Sequence, residues 1–186
     1  GFPDSPGLEE VHPFSISSSP DSETLTIGVK SLGDYTACIK DLAPGARAVI
    51  EGPFGRTSYR YLESKDQIWI AGGIGITPFL GMARALKPGE GYHIDLYYSV
   101  VEEKEAAFLD ELKALAEKNP DLRVIPWFTK TMSYLTADAI IEKSGGVMGR
   151  EIVMCGPPPM MKAMRGQLEK WKVPVRHIHS EEFSMN

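Results

Sequence analysis

The apolar run Ile68-Trp69-Ile70-Ala71 passes without a polar break into Gly72-Gly73-Ile74-Gly75-Ile76-Thr77-Pro78, and this junction constrains the fold more than any other feature of the chain. A short apolar run closed by glycines reads as a buried strand, and a helix is expected over residues 79–86. Glycines at such a junction let backbone N–H groups approach a pyrophosphate, whose charge is favoured at a helix N-terminus. Taken alone, the same glycines also suit a tight strand-to-helix turn in which they only avoid clashes. The spacing is not the G-x-G-x-x-G fingerprint.

Strand-then-helix order repeats downstream. Strands are expected over residues 94–98, 122–127, 152–155 and 175–178, and helices over residues 105–118, 136–143 and 159–171. In the helix over residues 105–118, Phe108, Leu112 and Leu115 fall on one face, opposite charged residues. Repeated β-α-β order requires crossover connections, so the fold class is α/β with a parallel sheet covered on both sides. Upstream, residues 14–17, 25–29 and 48–51 are short strand-like pieces between Gly, Pro and Asp turns, with one short helix from about Asp34 to the Pro44-Gly45 stop. That is an antiparallel β pattern. The polar stretch Glu63-Ser64-Lys65-Asp66 separates the two styles, giving domains over residues 1–65 and 66–186.

The chain has 186 residues, of which 42% are hydrophobic, enough to bury a full core. A formal charge of -5 and a pI near 5.4 provide no broad basic field, so nucleic acid is not an expected partner and any phosphate must be held locally. The two cysteines, Cys38 and Cys155, lie far apart and lack metal-ligand spacing, so neither a disulfide framework nor a metal centre is expected. No apolar run approaches the roughly 18 to 20 residues needed to span a bilayer, and a soluble chain in a reducing compartment is expected. The turn-rich opening Gly1-Phe2-Pro3-Asp4-Ser5-Pro6-Gly7 reads as the middle of a larger protein.

Three further segments carry chemistry. Cys155-Gly156-Pro157, between a strand and a helix, lies at a strand's carboxyl end, where open α/β sheets bind ligands; Cys155 by itself also suits a small buried hydrophobe. His177 and His179 are expected on another strand, alternating between its faces. His12-Pro13-Phe14-Ser15 sets an imidazole, an aromatic ring and a hydroxyl along an extended piece that suits either a flavin ring or an edge strand with a core Phe. Lys30, Gly33, Tyr35 and Thr36 set a cation and hydroxyls at a helix start, useful to a diphosphate or to an ordinary Asp34-capped helix.

Taken together and in this order, these segments resemble the ferredoxin-NADP reductase superfamily, in particular its NADPH oxidase and transmembrane ferric reductase branch. The resemblance covers nearly the whole chain. It implies a parallel-sheet NAD(P)-binding domain preceded by an incomplete antiparallel β-barrel flavin domain, and FAD with NADPH or NADH as cofactors. It places His12, Pro13, Phe14 and Ser15 beside the flavin ring and Lys30, Gly33, Tyr35 and Thr36 at the FAD pyrophosphate. Gly72, Gly73, Gly75, Thr77 and Pro78 match the nicotinamide nucleotide's pyrophosphate loop. Cys155, Gly156 and Pro157 then line the nicotinamide pocket, with Cys155 shaping and polarising rather than attacking. Glu182 and Phe183 resemble the family's ending, where an acidic residue and an aromatic close over the flavin.

Members that prefer NADP usually place an Arg shortly after the Ser that ends the second nucleotide-domain strand. Here the chain runs Tyr98-Ser99-Val100-Val101-Glu102-Glu103. Two carboxylates oppose a 2′-phosphate, while Ser99, Lys104 and Lys130 are the groups that would serve one, so NADPH and NADH both stay open. The resemblance implies hydride transfer from NAD(P)H to FAD and electron delivery to a haem-bearing membrane domain upstream of Gly1, at the cytoplasmic face of a membrane, then to ferric iron or oxygen. Two alternatives stand beside it: a soluble reductase feeding an iron-sulfur partner, and a nucleotide-sensing module without turnover.

Overall fold

The structure is a computed structural model that describes residues 1–55 and 57–181. In chain order its elements are α1 (Asp34–Cys38), β1 (Asp66–Gly72), α2 (Ile76–Ala85), β2 (His93–Val100), α3 (Leu109–Lys118), β3 (Leu122–Phe128), α4 (Thr129–Met132), α5 (Ala137–Ser144), β4 (Glu151–Cys155), α6 (Pro158–Lys170) and β5 (Ile178–Glu181). The five strands form one sheet in the order β3-β2-β1-β4-β5, and every neighbouring pair is parallel.

Burial on both faces explains why the strands read as continuous apolar runs instead of alternating ones. Trp69 and Ala71 of β1 point into one core layer with Phe79 and Leu80 of α2 and Leu109 and Leu112 of α3. Ile68 and Ile70 point the other way, to Ile140 of α5 and Met161, Met164 and Leu168 of α6. The helix ends follow local chemistry. Thr136 caps α5 by accepting a hydrogen bond from the Ala139 N–H at 3.2 Å, and Gly145 ends it at φ 71°. Prolines occupy the first turn of α6, where a missing N–H removes no intrahelical bond.

Two predicted elements shift. The helix expected from residue 105 begins at Leu109, because Phe108 adopts a left-handed conformation at φ 64° and turns toward Gly28. The last strand forms over Ile178–Glu181, after a 3-10 turn at Val175–His177, instead of over residues 175–178.

Upstream of Asp66 the strand-like pattern yields little sheet. Among the described residues it contributes one antiparallel bridge, Ile16 to Ile27, supported by the Ser17 N–H donating to Thr26 O at 2.8 Å. Residues 48–51 form no strand; Val49 exchanges backbone hydrogen bonds with Gly1, and Val49 and Ile50 are 47% and 65% exposed. A strand needs a partner alongside for its backbone groups and a surface to cover its apolar face. Alternation in sequence supplies neither.

Candidate functional site

In a sheet of order β3-β2-β1-β4-β5 the chain leaves β1 to one side and returns to the other, so the switch point lies between the carboxyl ends of β1 and β4. The two glycine-bearing loops meet there. Ala71 is in register with Cys155, and Gly72 with Ser99 of β2, so Ser99 joins the same edge.

The loops touch backbone to backbone. A Cβ on Gly156 would lie 3.0 Å from both the Cα and the N of Gly72, and one on Gly72 would lie 2.8 Å from Pro157 Cδ and 2.7 Å from Met160 Sδ. A Cβ on Gly75 would collide with the Cys155 carbonyl. These glycines serve close packing. Gly73 is different: its φ of 53° is one that L side chains rarely adopt, and a Cβ there would meet no atom within 4 Å. Of the two readings the sequence left for these glycines, close packing accounts for Gly72, Gly75 and Gly156, and the pyrophosphate reading stays open at Gly73.

Gly73–Gly75 form a 3-10 turn that runs directly into α2. The first N–H groups of such a helix have no intrahelical acceptor, and the helix dipole favours an anion beside them. With Gly73 uncovered, this edge fits a pyrophosphate held by backbone. Thr77 is buried, and its hydroxyl donates to Ile74 O at 3.0 Å, bracing the turn from within. Pro78 is half-buried beside it. Cys155 is 1% exposed and shares a core with Ala71 and Val153.

The upstream candidates form a second group. The His12 and Tyr35 rings meet at a tilt of 38° with centroids 3.8 Å apart, and the Phe14 ring is stacked toward Tyr35 at 6.4 Å. The Tyr35 hydroxyl donates to Glu10 O at 3.1 Å and Leu8 O at 3.4 Å; burial, and then the Glu10 charge, push its pKa up. Thr36 Oγ1 accepts from the Leu32 and Gly33 N–H groups and so caps α1. Pro13, Lys30 and Gly33 are exposed and Ser15 is half-buried. Glu182 and Phe183 lie outside the described residues.

Residues that the sequence reading passed over join the two groups. Gly28 lies so close to Thr77 that a Cβ on it would meet the Thr77 methyl, and Gly81 of α2 faces Ile16 O and Ser18 O. Arg84 donates to Ser17 O at 2.7 Å and holds the Glu111 carboxylate of α3 at 2.7 and 2.9 Å. A glycine inside a strand-like pattern, as at Gly28, is a known signal of close backbone approach. Nothing local marks Arg84.

After the end of β2, Glu102 binds Lys130 at 2.6 Å and Lys104 at 3.2 Å, and these hydrogen bonds lower its pKa, Lys130 contributing most. The two lysines suggested by sequence for a 2′-phosphate are thus engaged by a carboxylate. His177 and His179 do not take opposite faces: positions two apart in an extended chain share a face, and both imidazoles reach the Glu151 carboxylate, at 2.9 and 2.7 Å.

A parallel sheet in this order, with backbone loops meeting at its switch point, defines a nucleotide-binding α/β domain of the doubly wound class. The chain belongs to the oxidoreductase NAD-binding domain family, which it matches over residues 69–166. It is 31% identical over 175 residues to the ferredoxin reductase component of 3-ketosteroid-9-alpha-monooxygenase from Mycobacterium tuberculosis, covering 91% of this chain and 49% of that protein. It is 34% identical over 178 residues to NADH-cytochrome b5 reductase 1 of Mycosarcoma maydis, covering 88% and 55%. Among solved structures, the Amycolatopsis cytochrome P450 reductase has the same fold, with a TM-score of 0.74 at 24% identity over 96% of this chain and 58% of that one. The chain spans about half the length of the curated relatives it matches. Among the described residues no helix is long and apolar enough to cross a membrane.

Proposed function

We propose that the chain is the nucleotide-oxidising region of a flavin-dependent NAD(P)H oxidoreductase that passes electrons to a partner. The observation that carries this reading is the meeting of the Gly72–Gly75 and Cys155–Pro157 backbones at the sheet's switch point, with Gly73 left uncovered. NAD(P)H lies across the carboxyl ends of β1, β2 and β4, its pyrophosphate held by the Gly73 to Gly75 backbone and its nicotinamide end beside Cys155-Gly156-Pro157. FAD, when bound, supplies the chemistry that accepts hydride and releases electrons singly. The protein's part is orientation, and it has little room for error. Arg84 and Gly81 hold the segment that follows Ser15 against α2, fixing the His12 to Ser15 piece relative to the nucleotide edge.

The Glu102 carboxylate, pinned by Lys130 and Lys104, favours a ribose 2′-hydroxyl over a 2′-phosphate, so NADH is the preferred nucleotide. For the acceptor, the names of the relatives support an electron-transfer protein such as a ferredoxin or cytochrome b5. Delivery to an upstream haem-bearing membrane domain, with ferric iron or oxygen reduced at the end and the site on the cytoplasmic face, rests on the sequence resemblance alone.

The test is an anaerobic absorbance titration of the chain with added FAD against NADH and then NADPH. Bleaching of the flavin band, at lower concentration with NADH, is expected. Absence of bleaching in a longer chain carrying a complete flavin domain, with nucleotide still bound, would leave a sensing module in place of a reductase.

A further inference from the structure

The amino edge of the sheet, opposite the nucleotide edge, gathers a second set of chemically active groups. Glu63 lies just before β1, Glu151 is the first residue of β4, and His177 immediately precedes β5. These are three adjacent strands, so their starts converge. One ligand atom from each of the three side chains lies within 4.8 Å of the other two. His179 closes the arrangement from behind, its Nε2 2.7 Å from the second Glu151 oxygen.

Glu151 is the unusual member, a carboxylate with a side chain only 1% exposed. A buried charge is costly unless an opposite charge offsets it. Among the described residues its ion-pair partners are the two imidazoles, with no ammonium or guanidinium. The neighbouring Arg150 turns to Asp95 at 2.9 Å instead. Glu63 adds a second carboxylate on the solvent side of the same cluster.

The geometry points to a divalent metal site of the zinc type formed by Glu63, Glu151 and His177, with His179 orienting the Glu151 carboxylate. Two carboxylates balance a dication, and an imidazole beside carboxylates suits zinc better than magnesium or calcium, which prefer all-oxygen shells. Three protein ligands, one on the exposed side, leave a position for water. The ion ties the segment before β1 to the starts of β4 and β5. Its role is to brace this edge, remote from the nucleotide loops.

The experiment is isothermal titration of the chain with zinc chloride, alongside thermal melts with zinc or magnesium. One equivalent of zinc is expected to bind and raise the melting temperature, since a ligand that binds only the folded state stabilises it; magnesium should do neither. Glu63→Gln and His177→Ala should each abolish the tight site, and His179→Ala should weaken it by ~10–100-fold, as loss of an orienting partner does. The Glu63 side chain is exposed, so Glu63→Gln tests the site even if His177→Ala folds poorly. No uptake of zinc, or uptake and thermal shift unchanged by Glu63→Gln, would overturn the assignment and leave only adventitious binding.

Discussion

Arg84 donates a 2.7 Å hydrogen bond to the Ser17 carbonyl while its other guanidinium nitrogens hold Glu111, so one side chain fastens the upstream segment to both α2 and α3. Arg84→Ala removes the charge-assisted bonds to Ser17 and Glu111 and is expected to lower stability by ~1–3 kcal/mol. It should also open the neighbourhood of Ser17. Denaturant unfolding and amide exchange at Ser17 check both; an unprotected Ser17 in the parent chain would show that the latch is not closed in solution.

Gly73 and Gly75 should respond differently to alanine. At Gly73 the φ of 53° costs an alanine about 1–2 kcal/mol, with space available for its methyl, so the fold survives and nucleotide affinity falls. At Gly75 a methyl meets the Cys155 carbonyl, and overpacking of about 1–3 kcal/mol falls on the fold itself. Melting temperature and nucleotide titration, measured on both variants, separate the two effects.

Asp95 sits between Arg123 at 2.7 Å and Arg150 at 2.9 Å. Burial alone would raise its pKa, but hydrogen bonds from Arg123 and Ser144 and the Arg150 charge outweigh that and hold it below the ordinary 3.8. A depressed folded-state pKa adds stability that is complete above the unfolded value and disappears as pH falls through the folded one. Asp95→Asn should therefore cost about 3 kcal/mol at neutral pH. The gap between the variant and the parent chain should narrow only in acid, below about pH 4. Equal differences at pH 7 and pH 3 would contradict this account.

Glu102→Gln releases Lys104 and Lys130 from their carboxylate. Relative affinity should shift toward NADPH, through tighter NADPH binding more than weaker NADH binding. Fluorescence titration with both nucleotides decides, and an unchanged ratio would remove Glu102 from the specificity argument.

Cys155→Ala should cost about 1 kcal/mol of stability and slow hydride transfer more than it weakens nucleotide binding. Stopped-flow bleaching of the flavin band measures the rate, and equilibrium titration the affinity. A loss confined to binding would count against its place beside the nicotinamide.

Periodicity and chain breakers act over a few residues, and what they govern was legible in the sequence. The apolar runs of β1 to β4, the glycine turn into α2 and the proline start of α6 follow from neighbours in the chain, and so does the parallel α/β class. The candidate nucleotide loops were legible for the same reason, since a strand-to-helix junction carries its own glycines. Contacts between distant segments leave no such trace. Only the folded chain decided that Phe108 leaves its helix to meet Gly28, that Arg84 reaches Ser17 across 67 residues, and that His177 and His179 converge on Glu151. The upstream strands show the same limit from the other side, because an alternating pattern determines which face a residue takes once paired, whereas pairing depends on the segment that lies alongside.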